Sequence, residues 1–527
     1  MLRQDSAHVV VAFDGYLHGV ASGSEADVVL RDHLRWGEAA AERWEGAFAF
    51  AIWDGRTGEL VLGRDRMGVK PLSFAVLDEG VVFASELAVL AVHPSVVPEL
   101  DGRGLNALIT QVRGPGLGVL RGVREVRPGT TVRFSRTGER HRRYWSLEAH
   151  PHDKSTADTV ACVRELLVRI VADNLDDADP AVLLSGGTDS SVLTGLVAGA
   201  LGRSPHTFTV TFGKGAAAVV DLPHAEEVAR FWGTAHRTVV VEPVELSDPG
   251  TLNSALLAKD HPTPFGDKNI TPYLFSRVVA ARTSDALSGE GADALFGGLG
   301  PSPAPDRVLT TFPWIERARS FDARYGLGGG LFRQDLLRDT DIAGYLADRF
   351  DDAMAEVPRL AGESPVDRLG REVDYLTVTR LLEQTVHHSE RLSTAAGLRL
   401  RFPFADHRLF SFLYDVPPRV KAFDGREKSL LRAAGRDLVP PSVLRRPKVP
   451  YPITYDKGYK AGLVVRLRAL LDDSSAAVHD LLDLSSVVRY VENPRLLDRG
   501  GWLGRADVEM ALQLNDWIQC LGVRVRL

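Results

Sequence analysis

The sequence predicts an α/β protein in which an α+β front part is followed by a doubly wound parallel sheet and a mainly helical C-terminal part. Three observations carry that expectation. Short apolar runs separated by Gly/Asp turns fill residues 1 to about 146, helical and buried-strand patterns alternate from Thr156, and helical spacing prevails after about Gly300. The polar stretch Ala149-His-Pro-His-Asp-Lys-Ser-Thr156 separates the two patterns, giving expected domains of 1–148 and 149–527. A chain of 527 residues exceeds one ordinary core, which agrees with two domains.

In chain order, strands are expected at Val9–Phe13, Ala47–Trp53, Glu59–Gly63 and Gly80–Ala84, forming an antiparallel sheet. Apolar residues at helical spacing over Asp27–Trp36 and Leu105–Val112 place helices on that sheet. The basic run Arg136–Trp145 contains a turn signal and is expected as a solvated hairpin. Beyond the boundary, a helix to about Asn174, the strand Ala181–Leu184, a helix from Ser190, the strand Thr207–Phe212, a helix from His224 and the strand Thr238–Val241 give a βαβ rhythm. In such a sheet the ligand sits beyond the carboxyl ends of the strands. Gly326–Gly330 is expected as a mobile loop.

Composition narrows the function classes. With 69 acidic against 63 basic residues the chain has no excess charge to hold a polyanion, so neither nucleic acid nor an anionic membrane is an expected partner. The two cysteines, Cys162 and Cys520, are far apart and form no metal-binding pattern, so two inert buried thiols in a reducing compartment are expected. No signal-peptide core and no apolar run of about 18 residues occurs, and a cytoplasmic location is expected.

The chemistry concentrates in three segments. Ser185-Gly-Gly-Thr-Asp-Ser-Ser191 falls between a strand and a helix N-terminus. Gly186 and Gly187 let backbone N–H groups approach phosphate oxygens, Ser185, Thr188 and Ser190 add hydroxyls, and the helix dipole favours negative charge. Asp189 in the same loop suggests magnesium, and no Gly-Lys-Ser/Thr follows, so this is not a Walker A loop. The second segment, Leu287-Ser-Gly-Glu-Gly-Ala-Asp-Ala-Leu-Phe-Gly-Gly298, sets Glu290 and Asp293 three residues apart. Taken alone such carboxylates are usually helix caps; paired with the first loop they become candidates for a base and a metal ligand. The third, Leu444–Pro452, is a proline-stiffened basic loop. With 53 of the 63 basic residues being Arg, its Lys448 is one of few compact point charges available to an anionic transition state.

These segments, with Arg64-Asp-Arg-Met-Gly-Val-Lys-Pro-Leu72, Phe83-Ala-Ser-Glu-Leu87, Arg401-Phe-Pro-Phe-Ala-Asp-His407 and Asp424-Gly-Arg-Glu-Lys428, closely resemble the asparagine synthetase superfamily, which includes β-lactam synthetases and lasso-peptide cyclases. The resemblance spans almost the whole chain. It implies an N-terminal-nucleophile-hydrolase-like, glutaminase-like front domain and an ATP-pyrophosphatase synthetase domain that binds ATP and Mg2+. The latter would adenylate a small-molecule carboxylate and let a nitrogen nucleophile displace AMP. Carried over by motif, Leu183, Val210 and Gly289 would contact the nucleotide and Ser185 to Ser190 the phosphates. Asp189 and Asp293 would hold magnesium, Lys448 would serve the adenylation transition state, and Glu290 would deprotonate the amine. A homodimer is also implied.

One departure bears on the nitrogen source. Glutamine-using members begin Met-Cys-Gly, whereas this sequence reads Met1-Leu2, and it carries Asp14-Gly15-Tyr16 and Ser24-Glu25-Ala26-Asp27 where they carry Asn-Gly-Glu and Ser-Asp-Thr-Glu. The front domain is therefore expected to be truncated, entering the fold near Val9, and inactive as a glutaminase. The leading expectation is an amide-forming ligase of secondary metabolism that uses ammonia, an amine or a hydrazine-type nucleophile. Glu290 weighs against a β-lactam closure, because β-lactam synthetases use a Tyr–Glu pair. A lasso-cyclase-like macrocyclase acting on a peptide substrate, a β-lactam-synthetase-like cyclase and a non-catalytic partner subunit of a complete homologue remain alternatives.

Overall fold

The computed structural model describes residues 2–4, 8–21, 23–175, 180–212, 218–297, 308–449, 453–500 and 503–527. Met1, Gly298 and Pro450–Pro452 of the motifs above lie outside the described residues. In the front part, Leu2–Gln4, Val9–Leu17, Gly46–Asp54, Glu59–Arg64, Thr130–Ser135 and Gly138–Arg143 form, in that spatial order, one six-stranded antiparallel sheet. The expected entry near Val9 is corrected by a strand before it, since Leu2–Gln4 already pairs with Val10–Ala12. Alternation along Gly46–Asp54 serves both faces of the sheet. Phe48, Phe50 and Ile52 pack in one core with Val29 of the Glu25–Trp36 helix, and Ala49 and Ala51 pack in another with Phe74. Gly63 is required where the Phe50 ring crosses it, because an added Cβ would lie 2.3 Å from the ring. Gly138–Arg143 pairs with Thr130–Ser135 as the expected exposed hairpin.

The second sheet is parallel, with the order Ala235–Val241, His206–Phe212, Ala181–Leu183, Asp285–Leu287, Arg399–Arg401. Strand order reverses at Ala181–Leu183, so the loops after Leu183 and Leu287 leave adjacent strands in opposite topological directions, a geometry that opens a crevice at their carboxyl ends. The fifth strand is not legible in the sequence. Arg399–Arg401 is three residues long and is held by Asp285, which accepts from Arg399 NH2 at 2.8 Å and Arg401 NH2 at 3.2 Å. The helix expected from His224 runs over Ala218–Trp232, with Pro223 inside it as a missing helical hydrogen bond rather than as its start.

Two further expectations need correction. Gly326–Gly330 is packed onto the final helix, Leu503–Leu521, rather than loose: Gly330 N–H donates to Asp507 Oδ1 at 2.8 Å, and a Cβ on Gly328 would meet Met510 at 2.9 Å. Cys520 is exposed and Cys162 half-buried, because the final helix buries Trp517, Ile518 and Leu521 and turns its 519–520 edge outward. Among the described residues no helix is long and apolar enough to cross a membrane.

The two parts share cores. Tyr16, Ala47, Val69 and Leu147 belong to the core of the parallel sheet, while Leu100, Leu105 and Leu108 pack in one core with Leu331, Val508 and Trp517. Arg524–Val525 pairs in parallel with Glu99–Leu100. Buried polar contacts reinforce this. Tyr16 OH donates to Asn174 Oδ1 at 3.2 Å beneath the Arg401 guanidinium, Arg64 NH1 meets Glu383 at 3.1 Å, and Lys70 Nζ joins Asp14 at 3.1 Å and Glu390. Burial alone would lower the Lys70 pKa, but the two carboxylates outweigh it and hold the ammonium well above its usual range. Lys70→Met strands Glu390, whose side chain is 3% exposed, and should cost roughly 3–5 kcal/mol in urea unfolding, with Lys70→Met/Glu390→Leu recovering part of the loss.

Candidate active site

The loop after Ala181–Leu183 is built by its own side chains. Leu184 N–H donates to Phe208 O at 2.8 Å, carrying the strand one residue further. Ser185 N–H then donates to Ser190 Oγ at 3.0 Å, and Gly187 N–H donates to Ser185 Oγ at 3.3 Å. Ser190 thus ties the start of the loop to the helix Thr188–Gly195. Gly186 takes φ +74°, and a Cβ there would lie 2.5 Å from Ala225 N, so only glycine fits. Arg446 NH1 donates to Gly186 O at 3.1 Å while its other nitrogen pairs with Asp221, fixing the loop from the side.

The second acidic loop meets the first. A Cβ on Gly289 would lie 3.0 Å from Ser190 N, which measures how closely the two backbones approach. The simple capping role does not apply to the carboxylates here. The residues at the cap positions of the two short helices are Gly187 and Gly291, and neither Asp189 nor Asp293 caps its helix. Instead both carboxylates converge on one cation, Lys428, whose Nζ lies 2.6 Å from both Asp189 oxygens and 2.5 Å from Asp293 Oδ1. Lys448 Nζ adds a second contact to Asp293 at 3.0 Å. Lys428 is only 5% exposed; burial would lower its pKa, and the two aspartates raise it instead. Burial raises Asp189 with Lys428 opposing, whereas for Asp293 the two lysines outweigh burial and hold it below the usual carboxylate range.

Glu290 lies beside this cluster in a different environment. It is half-buried, its pKa is pushed up to about 7 mainly by loss of water, and the negative charge of Asp293 adds to the rise. Ser389 and Thr385 hydroxyls beside it oppose the shift in part. Both belong to the helix Glu383–Ala395, whose Glu383 and Glu390 face Arg64 and Lys70 of the front sheet. A carboxyl group poised near neutrality in a desolvated crevice is suited to accept a proton.

Leu183 and Val210 stand half-buried on neighbouring parallel strands below the loop, with Leu183 in register with Phe208 and Val210 with Val239. The loops bring Ser185, Gly186, Gly187, Thr188, Asp189, Ser190, Gly289, Glu290, Asp293 and Lys448 into one region; the contacts described do not reach Leu183 or Val210. Lys428, Arg446, Thr385 and Ser389 are site neighbours that sequence reasoning missed. Lys428 had a signal, since it ends the matched segment Asp424–Lys428. Its left-handed backbone, φ +58°, at the start of Ser429–Ala434 aims it inward.

The residues fit a magnesium ion shared with a nucleotide. Asp189 and Asp293 direct oxygens to one cation position with no His or Cys among them, the hard-oxygen donor set Mg2+ prefers when phosphates and water complete its shell. Among the described residues no group of three His, Cys, Asp or Glu side chains forms a cage of its own.

Comparison with known proteins gives two family matches, "Asparagine synthase" over residues 162–519 and "Glutamine amidotransferase domain" over residues 13–145. Asparagine synthetase [glutamine-hydrolyzing] 3 of Bacillus subtilis (strain 168) is 32% identical over 528 residues, covering 96% of this chain and 84% of its own. A putative asparagine synthetase [glutamine-hydrolyzing] of Mycobacterium tuberculosis (strain ATCC 25618 / H37Rv) is 28% identical, covering 91% of this chain and 78% of its own. Amidase chry2 of Gibberella zeae is 25% identical, covering 81% and 72%. Gly186→Ala, which places a methyl group into Ala225 N, should leave the circular dichroism spectrum unchanged and weaken ATP binding about tenfold or more by calorimetry.

Proposed function

Starting from a chain that belongs to the asparagine synthetase family, whose members are ATP-dependent carbon–nitrogen ligases that release AMP, we propose that this protein makes an amide through an acyl-adenylate without hydrolysing glutamine. In the first step a carboxylate oxygen of the substrate attacks the α-phosphorus of ATP. The bond from that phosphorus to the bridging oxygen breaks, and pyrophosphate leaves. In the second step ammonia or an amine attacks the acyl carbon, the bond to the AMP oxygen breaks, and the nitrogen loses one proton.

The observation that carries this reading is the pairing of two opposite environments in one crevice. On one side Lys428 and Lys448 gather Asp189 and Asp293 next to backbone N–H groups of the Ser185–Ser190 loop, a setting for polyphosphate charge. On the other, Glu290 is half-buried with its pKa pushed up to about 7, a setting for taking the amine proton. Magnesium held by Asp189 and Asp293 would neutralise charge on the phosphates; the lysines would then turn toward the phosphate oxygens.

Independence from glutamine rests on what the front sheet's side chains do. Asp14, at the first position of the altered Asn-Gly-Glu text, is bound to Lys70 at 3.1 Å, and Tyr16, at its third, is committed to Asn174 and Arg401. Tyr16, and Lys70 through Glu390, hold the front part onto the synthetase part, and Cys162 and Cys520 lie on helices Thr156–Asp173 and Leu503–Leu521, neither of them in the front sheet. The two asparagine synthetases named above carry glutamine hydrolysis in their names, so this proposal departs from them.

Three measurements test it. With ATP, magnesium and a panel of carboxylates and amines, pyrophosphate release should appear and should vanish in Asp189→Asn; glutamine should yield no glutamate, and stoichiometric glutamate would overturn that half of the reading. Glu290→Gln should keep pyrophosphate exchange within a few fold and slow amide formation about 100-fold or more. Because the raised pKa leaves Glu290 neutral below about 7 and ionised above it, the ratio of wild-type to Glu290→Gln amide formation should rise with pH through about 7 and then level.

A further inference from the structure

A cavity of about 190 Å³ shares no residue with the site described above. It opens between the linker at His152, the helix Pro365–Leu376 with the segment before it, and the turn that follows the helix His407–Asp415. One wall is apolar, with Leu360, Val416 and two prolines; the other is charged.

The charged wall is incomplete in a specific way. Arg371 Nε donates to Glu363 Oε2 at 2.9 Å and its NH1 donates to Tyr414 O at 2.9 Å. The other oxygen, Glu363 Oε1, is buried and has no hydrogen-bond partner among the described residues, although the side chain is only 7% exposed and lines the cavity. A buried carboxylate oxygen without a donor is costly, and neighbouring backbone and side chains leave it so. The charge balance points the same way. Glu363, Asp367, Asp374 and Asp415 line the space against Arg371 and Arg419. Lys421, at 2.5 Å from Asp374, Arg419, at 3.3 Å from Asp367, and Arg371, at 2.9 Å from Glu363, engage three of the four, and Asp415, which accepts from the His150 backbone N–H at 2.7 Å, leaves the carboxylates one ahead of the Lys and Arg side chains.

We propose that this cavity binds a small aliphatic primary ammonium ion, which donates to Glu363 Oε1 and lays its alkyl chain against Leu360 and Val416. One cationic head satisfies the missing donor and the residual charge together, and a short chain matches the apolar wall. A carboxylate ligand would face the same uncompensated negative charge, and an alcohol would supply the donor without the charge.

Calorimetric titration of the full chain, without ATP, using n-butylamine, n-butanol and n-butyrate as probes, tests the assignment. Expected are saturable one-to-one binding of n-butylamine, binding of n-butanol weaker by about tenfold or more, and no binding of n-butyrate. Glu363→Gln should weaken n-butylamine about tenfold or more, and Leu360→Trp, which fills the space and leaves every carboxylate in place, should abolish binding. Glu290→Gln should leave it unchanged. Absence of saturable n-butylamine binding, binding that survives Leu360→Trp, or binding lost in Glu290→Gln, which would locate the amine beside the adenylation loops, each overturns the proposal.

Discussion

The arrangement of the site depends on one buried ammonium group, Lys428, held between Asp189 and Asp293. The two aspartates come from loops that leave adjacent parallel strands, and like charges so close would drive the loops apart without a cation between them. Lys428 reaches this position because its own backbone adopts a left-handed conformation and its N–H donates to Phe296 O, just past Asp293. The same segment that carries the second aspartate therefore anchors the lysine that neutralises it. Arg432 and Arg426 extend the arrangement by donating to Leu444 and Arg446 carbonyls, which brings Lys448 to the same cluster.

The Glu383–Ala395 helix links that cluster to the front sheet. Thr385 and Ser389 reach Glu290, while Glu383 and Glu390 reach Arg64 and Lys70. His387 faces Asp260 and His388 faces His261, and burial keeps all three imidazoles well below their ordinary pKa and therefore neutral. Asp260 also lies 3.7 Å from Arg391 of the same helix, so a neutral and an ionic contact share that carboxylate. The polarity around Glu290 is set by Ser389, Thr385 and the charge of Asp293 rather than by the charges that hold the helix to the front part.

Much of this was legible in the sequence. The strands at Ala181, His206 and Ala235 announce themselves as apolar runs, and the Ser185–Ser190 loop is recognisable because its residue types have few other uses together. The Arg399–Arg401 strand was hidden, since three residues with two arginines show no apolar run; it becomes a strand through its pairing with Asp285–Leu287. Lys428 was hidden in a different way. Its role depends on a contact with Asp189 across 239 positions of chain, and local pattern carries no trace of such a contact. Glu383 and Glu390 carry no local sequence pattern of their own, and their engagement with Arg64 and Lys70 follows only from the interior that the two parts share.

That shared interior bears on how the chain is made. Leu100, Leu105 and Leu108 are covered by Val508 and Trp517, and Glu99–Leu100 acquires its partner strand at Arg524–Val525. At ordinary translation speeds about 20–80 s separate the synthesis of these two regions, and during that time the nascent front part presents an apolar face with no cover of its own. Folding on the ribosome must then end with the late helix closing over the early sheet, so the emerging chain is a natural client for holding chaperones until its last turns appear.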